Sequence, residues 1–408
     1  MAVVTSFCGF RYNPEKIDNL SNVFAPPYDV INPEEQEELY GVSPYNVVRL
    51  ILPRCEGEQK YIKAGQTLRD WIAGQLLIQE AEPSIYPYHQ EFDLDGKRVR
   101  RRGFISTVRI EDFSSKIILP HERTFPKPKM DRLKLTLACK ANLSPVFSIY
   151  SDPEGSIEKA IDEHLDDGPL IDSVYKDGVR NRLWKISDRD LISKITTTMS
   201  DLNLLIADGH HRYETALEYR NLQKNDSRTS SGERPYDYVM MYLARAEDEG
   251  LLINPTHRVL RNLDSLDPKE LIQKIAERFD IKRIDLKEGV PSLGSREFLI
   301  LSKDSENVIK VSPKELYPES FKNLAVMSLH NVVLKEIITE EKTEILYTKS
   351  VTEVSELVKS GQYILGVILP PLTALDIFEV VLADEKLPHK TTYFYPKILS
   401  GLVFNPLW

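Results

Sequence analysis

The stretch LLIADGHHRYETAL, residues 204–217, decides how the chain is read. Leu204, Leu205, Ile206 and Ala207 form an apolar run that leads straight into Asp208-Gly209-His210-His211-Arg212, and Tyr213, Ala216 and Leu217 then share one face of a helix. The pattern predicts a strand over 202–207, a charged turn, and a helix opening at Asp208 or Gly209. Asp208 suits the helix N-cap, and Gly209 lets another group approach the backbone closely. A helix N-terminus presents N–H groups without intrahelical partners and a partial positive charge, so this turn is built like an anion site. Arg212 can hold a phosphate through two parallel hydrogen bonds, while His210 or His211 can donate to it or move a proton. Phosphate, not bare carboxylate, is the ligand this chemistry favours.

Outward from that unit, a helix is predicted over 188–199 before it, and the polar stretch LQKNDSRTSSGERP, residues 222–235, is expected to be a mobile loop after it, a lid or a spacer. YDYVMMYLAR (236–245) and LLINPTHRVL (251–260) then read as two buried strands of a hairpin around the turn AEDEG. The first 150 residues carry β-like runs at 47–52, 84–92, 103–110 and 146–150, and one helix over 60–75 with Ile62, Leu68, Trp71 and Ile72 at helical spacing. A short helix over 157–165 and a strand over 182–186 follow. From about residue 267, helices over 268–279, 318–338, 351–360 and 374–383 alternate with strands over 298–302, 345–347 and 363–369, which argues for α/β layering. The expected class is α/β of mixed α+β character in two lobes, 1–265 with the motifs and 266–408 as a second α/β lobe.

Composition narrows the function. The chain has 408 residues, 41% hydrophobic and 28% charged, which places it with ordinary globular proteins. Its 62 acidic and 53 basic side chains leave a net charge of −9, so nucleic acid is not an expected partner. The three cysteines include no C-x-x-C pair and imply neither a disulfide framework nor a cysteine zinc site, which points to a reducing, cytoplasmic setting. The N-terminus lacks the basic region of a secretory signal, and the apolar run at 363–372, with its two prolines, is too short to span a bilayer. No P-loop, dinucleotide fingerprint, protein-kinase set or G-x-S-x-G elbow occurs.

A second chemical segment is LPHERTFPKPKMDRLKL, residues 119–135. Phe125 stands where a zinc H-E-x-x-H helix needs the next residue of its pattern, so the motif is not that of a metalloprotease. A carboxylate beside a basic, proline-rich loop suits phosphoryl transfer, with Glu122 as base or metal anchor and Lys127, Lys129, Arg132 and Lys134 offsetting charge. A solvated charged loop fits equally well. Weaker candidates are Asp29 in FAPPYDVI, Asn46 and Arg49 in SPYNVVRL, and His257 and Arg258 in NPTHRVL at the end of the second hairpin strand. In LPHKTTYFYPK, Lys390, Thr391, Thr392 and Lys397 stand among aromatics, and an aromatic-packed loop is the favoured reading.

At these residues the chain resembles the domain-of-unknown-function 1015 family. The blocks APPYDVI, SPYNVVRLILP, HERTFPKPKMDRLKL, ANLSPVFSIY, ADGHHRYETAL, PTHRVL and TYFYPK follow the family's order from about residue 24 to 397. Met130 departs from the family pattern, as do Pro388 and His389 in the terminal block. The D-G-H-H-R core is also similar to the phosphate-handling motif of the ParB/sulfiredoxin-like superfamily, in particular its small kinases that phosphorylate free L-serine. The resemblance implies a ParB/sulfiredoxin-like nucleotide-binding core, with Asp208, His210, His211 and Arg212 as the phosphate and metal centre and Asp208 as the metal ligand. Analogy of chemistry adds Glu122 as the acceptor's base.

The activity so implied is transfer of a phosphoryl group from ATP, with ADP or pyrophosphate as other donors, to the hydroxyl of a small metabolite, using Mg2+. Gly209, Arg212, Lys127, Lys129, His257 and Arg258 are the expected nucleotide contacts, and Asp29, Asn46, Arg49 and His121 the expected acceptor contacts. A homodimer stays open. Two rival readings are a metal-dependent phosphohydrolase built on His121, Glu122, Asp208, His210 and His257, and a non-catalytic nucleotide-binding regulator, against which the acidic balance counts.

Overall fold

The apolar runs of the first half pair into one mixed ten-stranded sheet. A computed structural model of the chain describes residues 1–122, 126–165, 168–226, 232–261, 268–285, 289–303, 308–338 and 343–408. The sheet strands are β1 (Val4–Thr5), β2 (Tyr86–Leu94), β3 (Lys97–Arg101), β4 (Phe104–Arg109), β5 (Ile118–Pro120), β6 (Val146–Tyr150), β7 (Ile171–Val174), β8 (Arg180–Leu183), β9 (Leu204–Asp208) and β10 (Tyr238–Arg245). Their order is β7-β8-β2-β4-β10-β6-β9-β5, with β1 on β4 and β3 on β2. β9 runs parallel to β5 and β10 parallel to β6, and the other neighbours are antiparallel.

The helices described with this sheet are α1 (Pro33–Val42), α2 (Val48–Ile51), α3 (Gln59–Ala73), α4 (Pro126–Cys139), α5 (Ser156–Asp162), α6 (Arg189–Ser200) and α7 (His210–Asp226). Alternation along the strands gives the sheet two unlike faces. On one, Phe104, Val108, Val146, Leu204, Ile206, Met241 and Leu243 pack on Ile157 and Ile161 of α5, Leu191, Ile195 and Met199 of α6, and Tyr213 and Ala216 of α7. The other face carries Tyr88, Gln90, Arg101, Phe147 and Tyr242, buried but largely polar or aromatic.

Contacts divide the chain into two units, Met1–Leu252 with Pro396–Trp408, and Ile253–Tyr395. The second holds an antiparallel six-stranded sheet in the order Phe279–Ile284, Val308–Pro313, Phe298–Ser302, Leu365–Ile368, His257–Arg261, Glu344–Thr348. Val354 and Val358 of the helix Val351–Lys359 pack on Val259, Leu299 and Ile368 in its core. Among the described residues no helix is long and apolar enough to cross a membrane.

Four element readings change. The run at 47–52 is the helix α2 rather than a strand: the Asn46 Oδ1 accepts the Val48 N–H at 2.9 Å and starts a helical turn, and a continuous apolar run has no period to reveal it. The proline-rich basic segment is the helix α4, not a loop, because Pro126 and Pro128 fall in its first turn, where a missing N–H costs nothing. α7 runs on to Asp226 through the polar stretch at 222–235, of which residues 227–231 lie outside the described ones. The hairpin after β10 does not form. β10 pairs with β4 and β6, while the apolar run beyond it splits at Thr256 into Leu252–Pro255 and His257–Arg261, the latter pairing inside the second unit.

Candidate active site

β9 is wholly buried at Leu204, Leu205 and Ile206, and its pairing with β6 slips between Ile206 and Asp208, so the chain leaves the sheet at Asp208. Gly209 follows with φ +92, a conformation that L side chains rarely adopt, and a Cβ there would lie 2.8 Å from the Arg212 guanidinium. The Tyr213 N–H donates to the Gly209 carbonyl at 3.0 Å, which makes Gly209 the N-cap of α7. Asp208, expected there, instead accepts the Gly209 N–H at 3.0 Å and turns its other oxygen to Lys397 Nζ at 3.3 Å and Arg212 Nη2 at 3.4 Å. Burial alone would raise its pKa, but the Lys397 and Arg212 charges outweigh that and hold it at about 2.

Burial holds His121 and His210 toward the neutral form. His121, at the end of β5, is 1% exposed and its Nδ1 lies 2.7 Å from the Ile206 carbonyl, so Nδ1 donates and Nε2 is left as an acceptor. The His210 ring stands edge-on to it at 4.6 Å, and its Nε2 is buried with no hydrogen-bond partner among the described residues. Burial, with His121 beside it, lowers the His210 pKa to about 3, and burial lowers that of His121 too. Glu122 opposes both shifts, which places its charge near the pair.

At Arg212 lies a small, open cleft lined by Tyr28, Arg132, Ser144, Arg212 and Thr215 among others. Arg132 on α4 donates to the Ile51 carbonyl at 2.7 Å and through Nε to Asp131 at 3.0 Å, and its guanidinium lies 3.9 Å over the Tyr28 ring. Asp131 in turn takes Lys60 Nζ at 2.6 Å and the Tyr61 hydroxyl at 2.7 Å from α3, and the Arg132 and Lys60 charges hold its pKa at about 2 against burial. Two arginines on different helices therefore face one cleft at the carboxyl end of β9. Asp29, beside Tyr28, keeps exposed surface, yet enclosure of its carboxyl and then the Asp208 charge raise its pKa against Arg212 and Lys397.

The sequence profile described as "Protein of unknown function (DUF1015)" matches residues 4–349. The chain belongs to this family. No curated protein sequence matches this DUF1015 chain. Among solved structures, a free serine kinase in complex with AMP shares 16% identity at a TM-score of 0.37, covering 71% of this chain and 86% of that one. SbnI with a C-terminal truncation, from Staphylococcus aureus, shares 13% at 0.39, covering 74% and 87%. A conserved hypothetical protein from Pyrococcus furiosus shares 16% at 0.36, covering 72% and 92%.

Of the residues singled out in the sequence, the DUF1015 fold brings together Asp29, His121, Glu122, Asp208, Gly209, His210, His211 and Arg212. Others are held elsewhere. Asn46 is 0% exposed, and its amide is spent on the Asn22 and Phe24 carbonyls and the Val48 N–H. Arg49 donates to the Tyr40 carbonyl and stacks 4.5 Å over that ring. Lys129 sits 3.3 Å from Glu218 and 3.8 Å from Glu214 on α7. Lys127 is on α4, with its side chain outside the described ones, as are residues 123–125. His257 and Arg258 belong to the second unit, where His257 Nδ1 accepts the Leu369 N–H at 3.2 Å and Arg258, 0% exposed, donates to the Thr256 carbonyl.

The five-residue metal centre does not assemble: among the described residues no three of His, Cys, Asp and Glu are grouped to hold an ion. Lys397, Arg132 and Tyr28 are the site residues the sequence reading passed over or used otherwise. For Tyr28 the signal was present in its adjacency to Asp29.

Proposed function

We propose that this chain is a phosphotransferase that moves a phosphoryl group from a nucleotide, ATP first, to the hydroxyl of a small metabolite, with free L-serine as the first acceptor to test. The observation that carries the reading is the turn Asp208–Arg212. There an ionised carboxylate, a glycine whose Cβ would strike Arg212, and a helix N-terminus meet a second arginine, Arg132, across one cleft. The similarity of the D-G-H-H-R core to the ParB/sulfiredoxin-like motif supports it. ADP and pyrophosphate remain donors to compare.

Arg212, Arg132 and the first N–H groups of α7 bind the donor phosphates. Neutral His210 and His121 supply imidazole nitrogens that accept or donate a hydrogen bond without adding charge. Lys397 keeps Asp208 ionised and in place. Glu122 is the proton acceptor for the hydroxyl in this reading. Asp29, with its raised pKa, is the second carboxylate to test in that role. Mg2+ is commonly held by one or two carboxylates together with the phosphates it accompanies, a number that Asp208 and Asp29 supply, and it would offset charge on those phosphates. Positioning and charge neutralisation do most of the work.

Arg212→Ala and Glu122→Gln should each abolish phosphoester formation; the thermal melt should stay nearly unchanged in Glu122→Gln and fall modestly in Arg212→Ala, which also removes a donor to Asp208. Turnover retained by either variant removes that residue from the mechanism. The metal-dependent hydrolase gains ground only if nucleotide is cleaved to free phosphate with no acceptor present.

A further inference from the structure

Arg101, the last residue of β3, is 0% exposed. Register sets it opposite Gln90 on β2, and Gln90 opposite Asn181 on β8, all on the polar face of the large sheet. Its Nη2 donates to Gln90 Oε1 and, at 2.6 Å, to the Pro396 carbonyl, and its guanidinium lies 4.8 Å over the Phe147 ring. Its Nε and Nη1 are buried and meet no acceptor in good hydrogen-bond geometry among the described residues, and the neutral Tyr242 hydroxyl beside it brings no counter-charge. Among those residues no carboxylate pairs with it. A buried guanidinium without a counter-charge is strongly unfavourable, whereas one that receives an anion is not.

The position ties this charge to the site. Phe147, under the guanidinium, is the register partner of Asp208. Pro396, which accepts from Arg101, precedes Lys397, whose Nζ meets Asp208 and whose carbonyl accepts from Gln90 at 3.0 Å. Two cations are thus anchored through consecutive residues on one sheet face. Lys397 has Asp208 as its carboxylate, and Arg101 has none.

We propose that Arg101, oriented by Gln90, binds the carboxylate of a small hydroxy acid that serves as the phosphoryl acceptor. The proposal rests on the phosphotransferase reading above and names its substrate class. One uncompensated positive charge calls for a monoanion, which a carboxylate is and a phosphate dianion is not, while Arg212 and the α7 N-terminus already suit phosphate. Arg101 has no exposed surface, so the carboxylate enters by displacing the Pro396 contact, and association is slow.

The test is calorimetric titration of the full chain, with and without a non-hydrolysable ATP analogue. The probes are L-serine and L-glycerate, their counterparts without a carboxylate, L-serinamide and glycerol, and inorganic phosphate. The acids should bind about a hundredfold more tightly than the probes without a carboxylate, and Arg101→Gln should bring the two kinds within about threefold of each other. Equal binding of acid and amide, no acid binding under either condition, or discrimination that survives Arg101→Gln would each overturn the proposal. So would phosphate binding that is lost in Arg101→Gln while acid binding stays. Should that variant not fold, the acid and amide pair on the unaltered protein still decides. Phosphoester formation followed in parallel separates the two claims: turnover without acid discrimination removes only the carboxylate site, and Arg101-dependent acid binding without turnover removes only the kinase reading.

Discussion

Asp208 takes three donors at once, the Gly209 N–H, Lys397 and Arg212, and each gives a separate handle on the site. In Lys397→Met, burial of the carboxylate is opposed mainly by Arg212, so its pKa rises from about 2. The stability drawn from ionised Asp208 is present above the ordinary carboxylate range and is lost as pH falls toward that folded value. With the folded value closer to the ordinary one, ionised Asp208 contributes less stability in the variant, read as a lower denaturant midpoint at pH 7 and a smaller further loss as pH falls from 5 toward 2. Gly209→Ala should cost about 1–3 kcal/mol in a denaturant melt, because alanine is strained at φ +92 and its Cβ meets Arg212, and nucleotide binding should fall with it. Residues near each other along the chain, Asp208 to Arg212, were legible as a site from their types alone. Lys397 was not: 189 residues separate it from Asp208, and its surrounding aromatics suggest packing first.

At the scale of elements, α4 shows how a local misreading hides a functional one. Two prolines and four cations read as a loop, yet the prolines open a helix that aims Arg132 into the cleft while Lys60 and Tyr61 of α3 pin Asp131 behind it. Asp131→Asn removes the charge from that knot. It should lower stability by about 1–2 kcal/mol in a denaturant melt and raise KM for the nucleotide more than it lowers kcat. An unchanged KM would detach Arg132 from the phosphates. Six of the ten strands of the large sheet, β2, β4, β6, β8, β9 and β10, and the helices α3, α6 and α7 were readable from apolar runs or helical spacing, whereas the short strands β1, β3, β5 and β7 carry no such signal. α2 and the supposed hairpin were misread because uniform burial erases periodicity and because strand partners are set by distant chain, not by the nearest apolar run.

Across the whole molecule, the closing segment matters most to the first unit. Phe404 and Ser400 bridge to Phe10 and Ala25, Asn405–Pro406 pair with Ala141–Asn142, and Leu402, Val403 and Phe404 are each 1% exposed. Deleting residues 396–408 removes this burial, worth more than about 5 kcal/mol, together with Lys397, so the first unit should lose its cooperative melt. The buried neutral histidines set the pH response. His89, His210 and His330 are lowered to about 3 and His257 to about 4, each by burial first. Below about pH 6.5 the unfolded chain takes up these protons and the folded chain does not, so stability should fall as pH drops, by about 1.4 kcal/mol per unit for each histidine. Glu158, raised to about 7 by burial and Asp248, works in the opposite sense and makes the net slope shallower. Denaturant melts from pH 7 to 5 measure it, and a flat profile would contradict the burial of these rings.

The central claim is phosphoryl transfer at the Asp208–Arg212 turn. It is tested most directly by incubating the protein with Mg2+, ATP and free L-serine, and weighing the acceptor by mass spectrometry alongside Arg212→Ala. The result expected is serine heavier by one phosphoryl group with the unaltered protein and unchanged serine with the variant. No phosphoester from serine or from a panel of other hydroxyl acceptors, with ATP, ADP or pyrophosphate as donor, would contradict it.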